Sequence, residues 1–444
     1  MKNFTSGHIG RQIIFFALPI ILGNFFMQLY QIVDSIIVGQ YLGKEALAAV
    51  GASTPIVFAV VALVIGIGSG ASVVISQYFG GKEREKVNLT SDTLHIFLLG
   101  AGFVVAIIGI FCSELIFSWI NLPEALIPQA STYLKIYLGG AFLMFGFNTI
   151  ASILRGVGDS KTPLYFLLIS ALLNVGLDYL FIVGFGWGIA GAAWATVIAQ
   201  GVAYFAAILY INRTSTIFYI NLLKLKFDRK IFRQCVNYGL PTGIQQSFVA
   251  YGAVALMSIV NGFGTDVIAG YAAGLRIDGL AVIPAMNFSM ALTSFVGQNV
   301  GAGRYDRVAK GLRLTLLYSS ITCIVISAII IIFGTNILHM FTTDAAVVKV
   351  GVEYLVVVSS FYLVFNAMFI INGTLRGAGA VIAPMVITIV ALWGVRVPLS
   401  IWLSGIMGES GIWWSIPIGW AIGMTAAFIY YKTGNWKNKS IIKR

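Results

Sequence analysis

Two acidic residues stand inside long apolar runs: Asp34 in "QLYQIVDSIIVGQ" and Asp178 in "LLNVGLDYLFIVG". A charge at membrane depth costs at least ~2.5 kcal/mol, so such a residue usually faces a cavity and marks a pathway. If both runs are helices leading from inside to outside, with outer ends near Gly39 and Gly184, both acids lie ~8–9 Å below those ends at 1.5 Å per residue. Asn174 precedes Asp178 by one helical turn and shares its face. Thr196, ~12 Å into a following helix that starts near Gly188, reaches the same level. Carboxylate, amide and hydroxyl oxygens together suit Na⁺, a hard cation. Two close carboxyls in a dry site could instead hold a proton, because burial and mutual repulsion favour the neutral form of one. The plain alternative is that each acid bonds a polar group on a neighbouring helix.

Other polar residues fall in apolar runs. Arg276 and Asp278 are two apart and so do not share a helix face. Each is expected either to pair with a different helix or to line a cavity, and Arg396 has the same two readings. Gln28 and Gln245, with Gln246, are cavity candidates too, although amides also bond helix to helix.

The elements that hold these residues follow from composition. The 444 residues are 59% hydrophobic and only 10% charged, against about a quarter charged in soluble domains. A water-facing surface cannot be covered with so few, and a bilayer is the solvent that suits the excess. Apolar blocks near 12–38, 50–78, 92–118, 131–154, 163–184, 188–211, 235–261, 268–299, 311–338, 350–375, 381–404 and 411–431 each approach or exceed the ~20 residues of a spanning helix. A β-barrel would alternate apolar and polar residues, and runs such as Ala328–Phe333 do not. The expectation is an all-α integral membrane protein of twelve transmembrane helices.

The net charge of +12 is explained by topology. With the N-terminus cytoplasmic, the inner loops and tails take the basic residues from Lys2 to Lys443 and Arg444, while the outer side has only Lys44, Lys135 and Lys349. This obeys the positive-inside rule, places both termini in the cytoplasm and argues against nucleic-acid binding. The first block is longer than a signal-peptide core and is read as a retained helix. Cys112, Cys235 and Cys323 lie in separate blocks and form no metal or redox motif.

The chain is written twice. "SQYFGGKEREKV" and "GQNVGAGRYDRV" match at Gln77/Gln298, Gly80/Gly301 and Val87/Val308, each 221 residues apart. "LRGVGDSKTP" and "LRGAGAVIAP" match at the same offset of 221. Six helices per copy give two pseudo-symmetric six-helix bundles in parallel orientation. The expected boundaries are 1–211 for the first bundle, 212–234 for a basic cytoplasmic linker and 235–444 for the second. Such paired bundles transport by opening a shared cavity to alternate sides. The acids break the repeat: Leu256 and Leu399 stand at the positions equivalent to Asp34 and Asp178. A coupling site is therefore expected in the first half only. The small residues of "GIGSGAS" (66–72) and "GGAFLMFG" (139–146) are expected to pack helices closely.

At "LPIILGNFFMQLYQIVDSIIVGQYLGKEALAAVG", "LRGVGDSKTP", "NVGLDYLFI", "GLPTGIQQS" and "GQNVGAGRYDRV" the sequence resembles the multidrug and toxic compound extrusion (MATE) family over nearly its whole length. The resemblance implies a two-lobe antiporter that exports organic, cationic compounds in exchange for H⁺ or Na⁺. Within the family it is similar to the branch named for the DNA-damage-inducible transporter. The match to that branch implies that Asp34, Asn174, Asp178 and Thr196 couple the cation, with Tyr133 and Asn148 as further members of the network. The same four oxygen-bearing residues are the Na⁺ candidates. Asn148 joins Gln28, Gln245, Arg276 and Asp278 as candidates for the substrate cavity. No acid stands in the seventh block and none in the tenth after Glu353, which counts against an ion site in the second half.

The rival reading is a flippase for a lipid-linked precursor, whose pyrophosphate would call for more buried cations than Arg276 and Arg396. An enzyme is not expected. His8, His95 and His339 are far apart near predicted helix ends, and no nucleophile elbow or phosphate loop is present. No cofactor is expected beyond the coupling ion. The expected partners are small organic molecules and the lipid of a prokaryotic inner membrane, with the protein as a monomer.

Overall fold

The computed structural model describes residues 3–215 and 218–442. Lys2, Lys443 and Arg444, counted above among the inner charges, lie outside the described residues.

Every regular element among the described residues is helical. The first helical stretch, α1 (Ile9–Gly80), has 72 residues and would be ~108 Å long if straight, against ~30 Å of bilayer hydrocarbon. Gly43 resolves the mismatch. Its φ of 84° and ψ of −176° break α1 into two helices, in a conformation essentially reserved for glycine. The first helix therefore ends at Gly43 and not near Gly39, which places Asp34 ~13 Å from the turn. There follow α2 (Arg84–Trp119), α3 (Ile127–Gly139), α4 (Ala141–Gly156), α5 (Lys161–Asp178) and α6 (Gly188–Thr214). The second half holds α7 (Arg229–Val260), α8 (Thr265–Ala281), α9 (Ile283–Gly301), α10 (Tyr305–His339), α11 (Ala345–Ser360), α12 (Tyr362–Gly377), α13 (Ile382–Ile389), α14 (Val397–Met407) and α15 (Glu409–Thr433).

Among the described residues nine stretches are long and apolar enough to cross a bilayer, or eleven if each of two bent helix pairs is one span. The break at Gly43 adds the twelfth. The two bent pairs are related by the repeat: α3–α4 turns by 48° at Gly140 and α11–α12 by 50° at Phe361. The repeated "LRGxG" motif also has a local cause. Gly158 (φ 80°) and Gly379 (φ 96°) are left-handed helix caps. In each, the next amide returns to the carbonyl of the motif's leucine: Asp159 N to Leu154 O at 2.8 Å, and Ala380 N to Leu375 O at 2.9 Å. This is the Schellman arrangement, which favours glycine.

The chain forms two compact units, Leu18–Gly243 and Asn3–Ala17 with Ile244–Arg444. By packing, the N-terminal segment groups with the second half of the sequence, whereas the repeat alone assigned it to the first. The reason is visible inside the second unit. Phe4 is buried between Phe16 and Phe295, with ring centroids at 5.0 and 5.8 Å. Its amide donates to Gln298 Oε1 (2.9 Å). Arg307 donates to Phe4 O (2.9 Å), Gly7 O (3.0 Å), Gln12 Oε1 (3.2 Å) and Asn299 Oδ1 (3.1 Å).

In the first unit the glycines of "GIGSGAS" meet a second small-residue motif, Gly239 and Gly243 of α7. A Cβ on Gly66 would lie 2.6 Å from Gly243 Cα, and one on Gly239 2.6 Å from Ile67 Cα. The backbones touch because neither helix carries a side chain at the crossing.

Candidate functional site

α5 ends at Asp178, and the chain continues as a π-helical turn over Tyr179–Gly184. π turns widen a helix locally and are frequent at functional sites. Nothing in the apolar pattern of the sequence announces this one. Asp178 and Asn174 are buried on the inner face of α5. α6 supplies Thr196, and α1 supplies Asp34.

The Asp34 and Asp178 carboxyls are neighbours close enough to interact with each other. One oxygen of each, Oδ1, is buried without a hydrogen-bond partner among the described residues. Asn174 lies between Asp178 and Thr196. With its amide oriented for donation to the carboxylate, Nδ2 reaches Asp178 Oδ2 at 3.3 Å, and Oδ1 accepts from Thr196 N (3.2 Å) and Oγ1 (3.3 Å). The reverse orientation would set the amide oxygen against the carboxylate, so the network decides the orientation. Thr196 Oγ1 also has Ala192 O within 3.2 Å.

Around the pair stand three tyrosines. Tyr133 and Tyr137 stack at 5.8 Å, and with Tyr30 they lie close enough to the acids to interact with their charge. Tyr133 was expected from the family resemblance. Tyr30 and Tyr137 were missed, although Tyr30 precedes Asp34 by one turn and so shares its face. Tyr30, Ser170, Asn174, Thr196 and Gln200 line a crevice too narrow to hold even a water molecule in this conformation, far from the ~300–1,000 Å³ usual for drug-sized ligands.

The remaining candidates are not joined to this cluster. Asn148 donates to Met144 O (2.9 Å) along its own helix. Gln28 and Arg276 are exposed. Gln245 is buried and donates to Thr388 Oγ1 (2.7 Å), a helix-to-helix bond. Asp278 accepts from Tyr362 Oη (2.6 Å) and Tyr354 Oη (3.3 Å). Arg396 closes the π turn Val390–Arg396, and its Nε is buried without a partner among the described residues. His95 is not near a helix end: it lies inside α2, buried, with Nδ1 2.8 Å from Ser91 O. No group of three or more His, Cys, Asp or Glu side chains gathers among the described residues.

Comparison with known proteins matches this arrangement. The family model described as MatE fits the chain twice, over residues 19–180 and 241–402, which is the internal repeat. The chain is 33% identical over 435 residues to the probable multidrug resistance protein YpnP of Bacillus subtilis, covering 98% of this chain and 97% of that one. It is 25% identical to the FAD transporter of Shewanella oneidensis, over 94% of this chain and 93% of that protein. Among solved structures, an outward-facing multidrug resistance MATE family transporter of the MOP superfamily superposes with a TM-score of 0.91, at 23% identity over 99% of both chains. That likeness carries the twelve-helix fold. Two matches to one family model, relatives aligned from end to end and a shared fold lead to one conclusion: the chain belongs to the MatE family of multidrug and toxic compound extrusion proteins, and is a multi-pass membrane transporter and not an enzyme.

Proposed function

We propose that the protein is a secondary antiporter that exports organic compounds, cationic ones among them, in exchange for protons bound by Asp34 and Asp178. The observation that carries this reading is the contact between the two carboxyl groups. Two like charges side by side in a dry site are costly to keep ionised together, so the pair is suited to hold a proton. The crevice beside them has no room for an organic substrate. The names of the relatives support organic cargo, and the positive-inside pattern supports cytoplasmic termini in a prokaryotic inner membrane.

The mechanism follows from electrostatics. A proton arriving from outside neutralises the pair and removes the cost of a buried charge. α1 carries both Tyr30 and Asp34, so a change in the pair acts on α1 directly. Pro19 lies in the same helix, where the missing amide weakens the backbone ladder. Coupling requires that the proton bind the two conformations with different affinity.

The test is uptake of a fluorescent organic cation into inverted vesicles under an imposed pH or Na⁺ gradient. Uptake is expected with the pH gradient, and Asp34→Asn and Asp178→Asn are expected to reduce it to the level of empty vesicles. Uptake driven only by Na⁺ would replace the proton with Na⁺ on the same carboxylates, Asn174 and Thr196. Normal uptake in both variants would remove the pair from the mechanism.

A further inference from the structure

A basic concavity of about 460 Å³ opens in the second unit, lined by Gly7, His8, Ile9, Arg307, Lys310, Arg313 and Leu314. Arg307, Lys310 and Arg313 follow one another at three-residue spacing along the first turns of α10, so they project over one side of the helix. Arg307 is buried at the back and spends its donors on neutral oxygens, those of Phe4, Gly7, Gln12 and Asn299. Lys310 and Arg313 are exposed at the mouth. Among the described residues none of the three has an ion-pair partner. The neighbouring Asp306 is paired with Arg304 at 3.6 Å.

Two further observations limit what such a site would take. The first is position. From Lys310, the same face of α10 continues through Leu314 to Leu317, Ile321 and Ile324, and the last three are 53–54% exposed. These steps of three and four residues make one stripe. The charges therefore stand at the membrane end of a lipid-facing strip. The second is asymmetry. At the offset of 221, the equivalents of Arg307, Lys310 and Arg313 are Lys86, Leu89 and Asp92. Lys86 is ion-paired with Glu83. A basic trio needed only for topology would not have to be concave, unpaired and confined to one half.

We propose that this concavity binds the phosphate of an anionic phospholipid, with Lys310 and Arg313 on the phosphate oxygens and the acyl chains along Leu317, Ile321 and Ile324. Basic pockets at the inner membrane face recognise lipid headgroups in this way. The buried Arg307 ties the same site to the N-terminal segment, so an occupied site would also brace residues 3–8. A free phosphate shares the headgroup's chemistry but has no use for the apolar stripe.

The test uses the full chain in detergent, titrated with dioctanoyl phosphatidylglycerol, dioctanoyl phosphatidylcholine or inorganic phosphate, and read by native mass spectrometry and thermal shift. Phosphatidylglycerol is expected to bind and raise Tm, with the other two at least about tenfold weaker. Lys310→Ala and Arg313→Ala should each weaken binding about fivefold, and the double variant about 25-fold, at about one basic-residue contribution each. Arg313→Lys should retain binding, and the repeat-related Lys86→Ala should leave it unchanged. Equal affinity of wild type and double variant would overturn the proposal. So would inorganic phosphate binding as tightly as the lipid, which would assign the site to soluble phosphates.

Discussion

The carboxyls of Asp34 and Asp178, from the first and fifth spans, meet in one buried pocket, and each keeps one oxygen without a hydrogen-bond partner among the described residues. An arrangement built only for stability would satisfy those oxygens. Two buried carboxyls side by side, each with one oxygen unpartnered, are costly as anions, and the proton proposed above would relieve that cost.

Asn174 is the only residue seen to bridge Asp178 and Thr196 among the described contacts. Asn174→Ala should strip one bond from the carboxylate, worth about 1.5–3 kcal/mol for a charged partner. Gradient-driven transport is expected to fall by about tenfold or more, at 1.4 kcal/mol per tenfold. Thr196→Ser should behave as wild type, because the hydroxyl remains. Transport rates in vesicles check both.

Arg307 is the tether of the N-terminal segment. Arg307→Ala removes the guanidinium donors from Gly7 O and from Phe4 O, which among the described residues keeps only Asn299 Nδ2 (3.2 Å), and is expected to cost about 2–4 kcal/mol. Arg307→Lys should not restore the loss, since a point ammonium cannot reproduce the fork. Amide exchange over residues 3–8 should quicken in both variants, and limited proteolysis should cut there first.

Gly66 stands where two backbones touch. Gly66→Ala puts a methyl against Gly243 Cα, which cannot move aside as a side-chain tip can. A loss of about 1–3 kcal/mol is expected, read as a lower Tm of the purified protein. Unchanged stability would mean that this crossing is looser than the structure has it.

A row of polar atoms in the first unit lacks hydrogen-bond partners among the described residues: Gln200 Oε1 and Tyr204 Oη on α6, and His95 Nε2, Ser91 Oγ and Asn88 Oδ1 on α2. The His95 and Tyr204 rings stack at 6.4 Å. Buried atoms of this kind take ordered water. An experimental density map is expected to show waters there, and Tyr204→Phe should cost about 1 kcal/mol through the bond it loses.

The solvent, the number of spans, the repeat and the placement of both acids in the first half are legible in the residues alone. These follow from composition and from periodicity along the chain, which are local properties. The spacing also indicates that Asn174 shares a face with Asp178, because one helical turn separates them. Which faces meet is a property of the packed fold. The contact of Asp34 with Asp178, the π turn after Asp178, the inclusion of Tyr137 in the cluster and the diversion of Gln245 and Asp278 to structural bonds depend on how each helix is rotated and where it crosses its neighbour. The grouping of Phe4 with the second half through Arg307 is of the same kind. Hydrophobic periodicity sets which side of a helix is apolar, but in a membrane both lipid and protein are apolar neighbours. Small-residue crossings such as Gly66 on Gly243, and not the apolar pattern, therefore fix the register between helices.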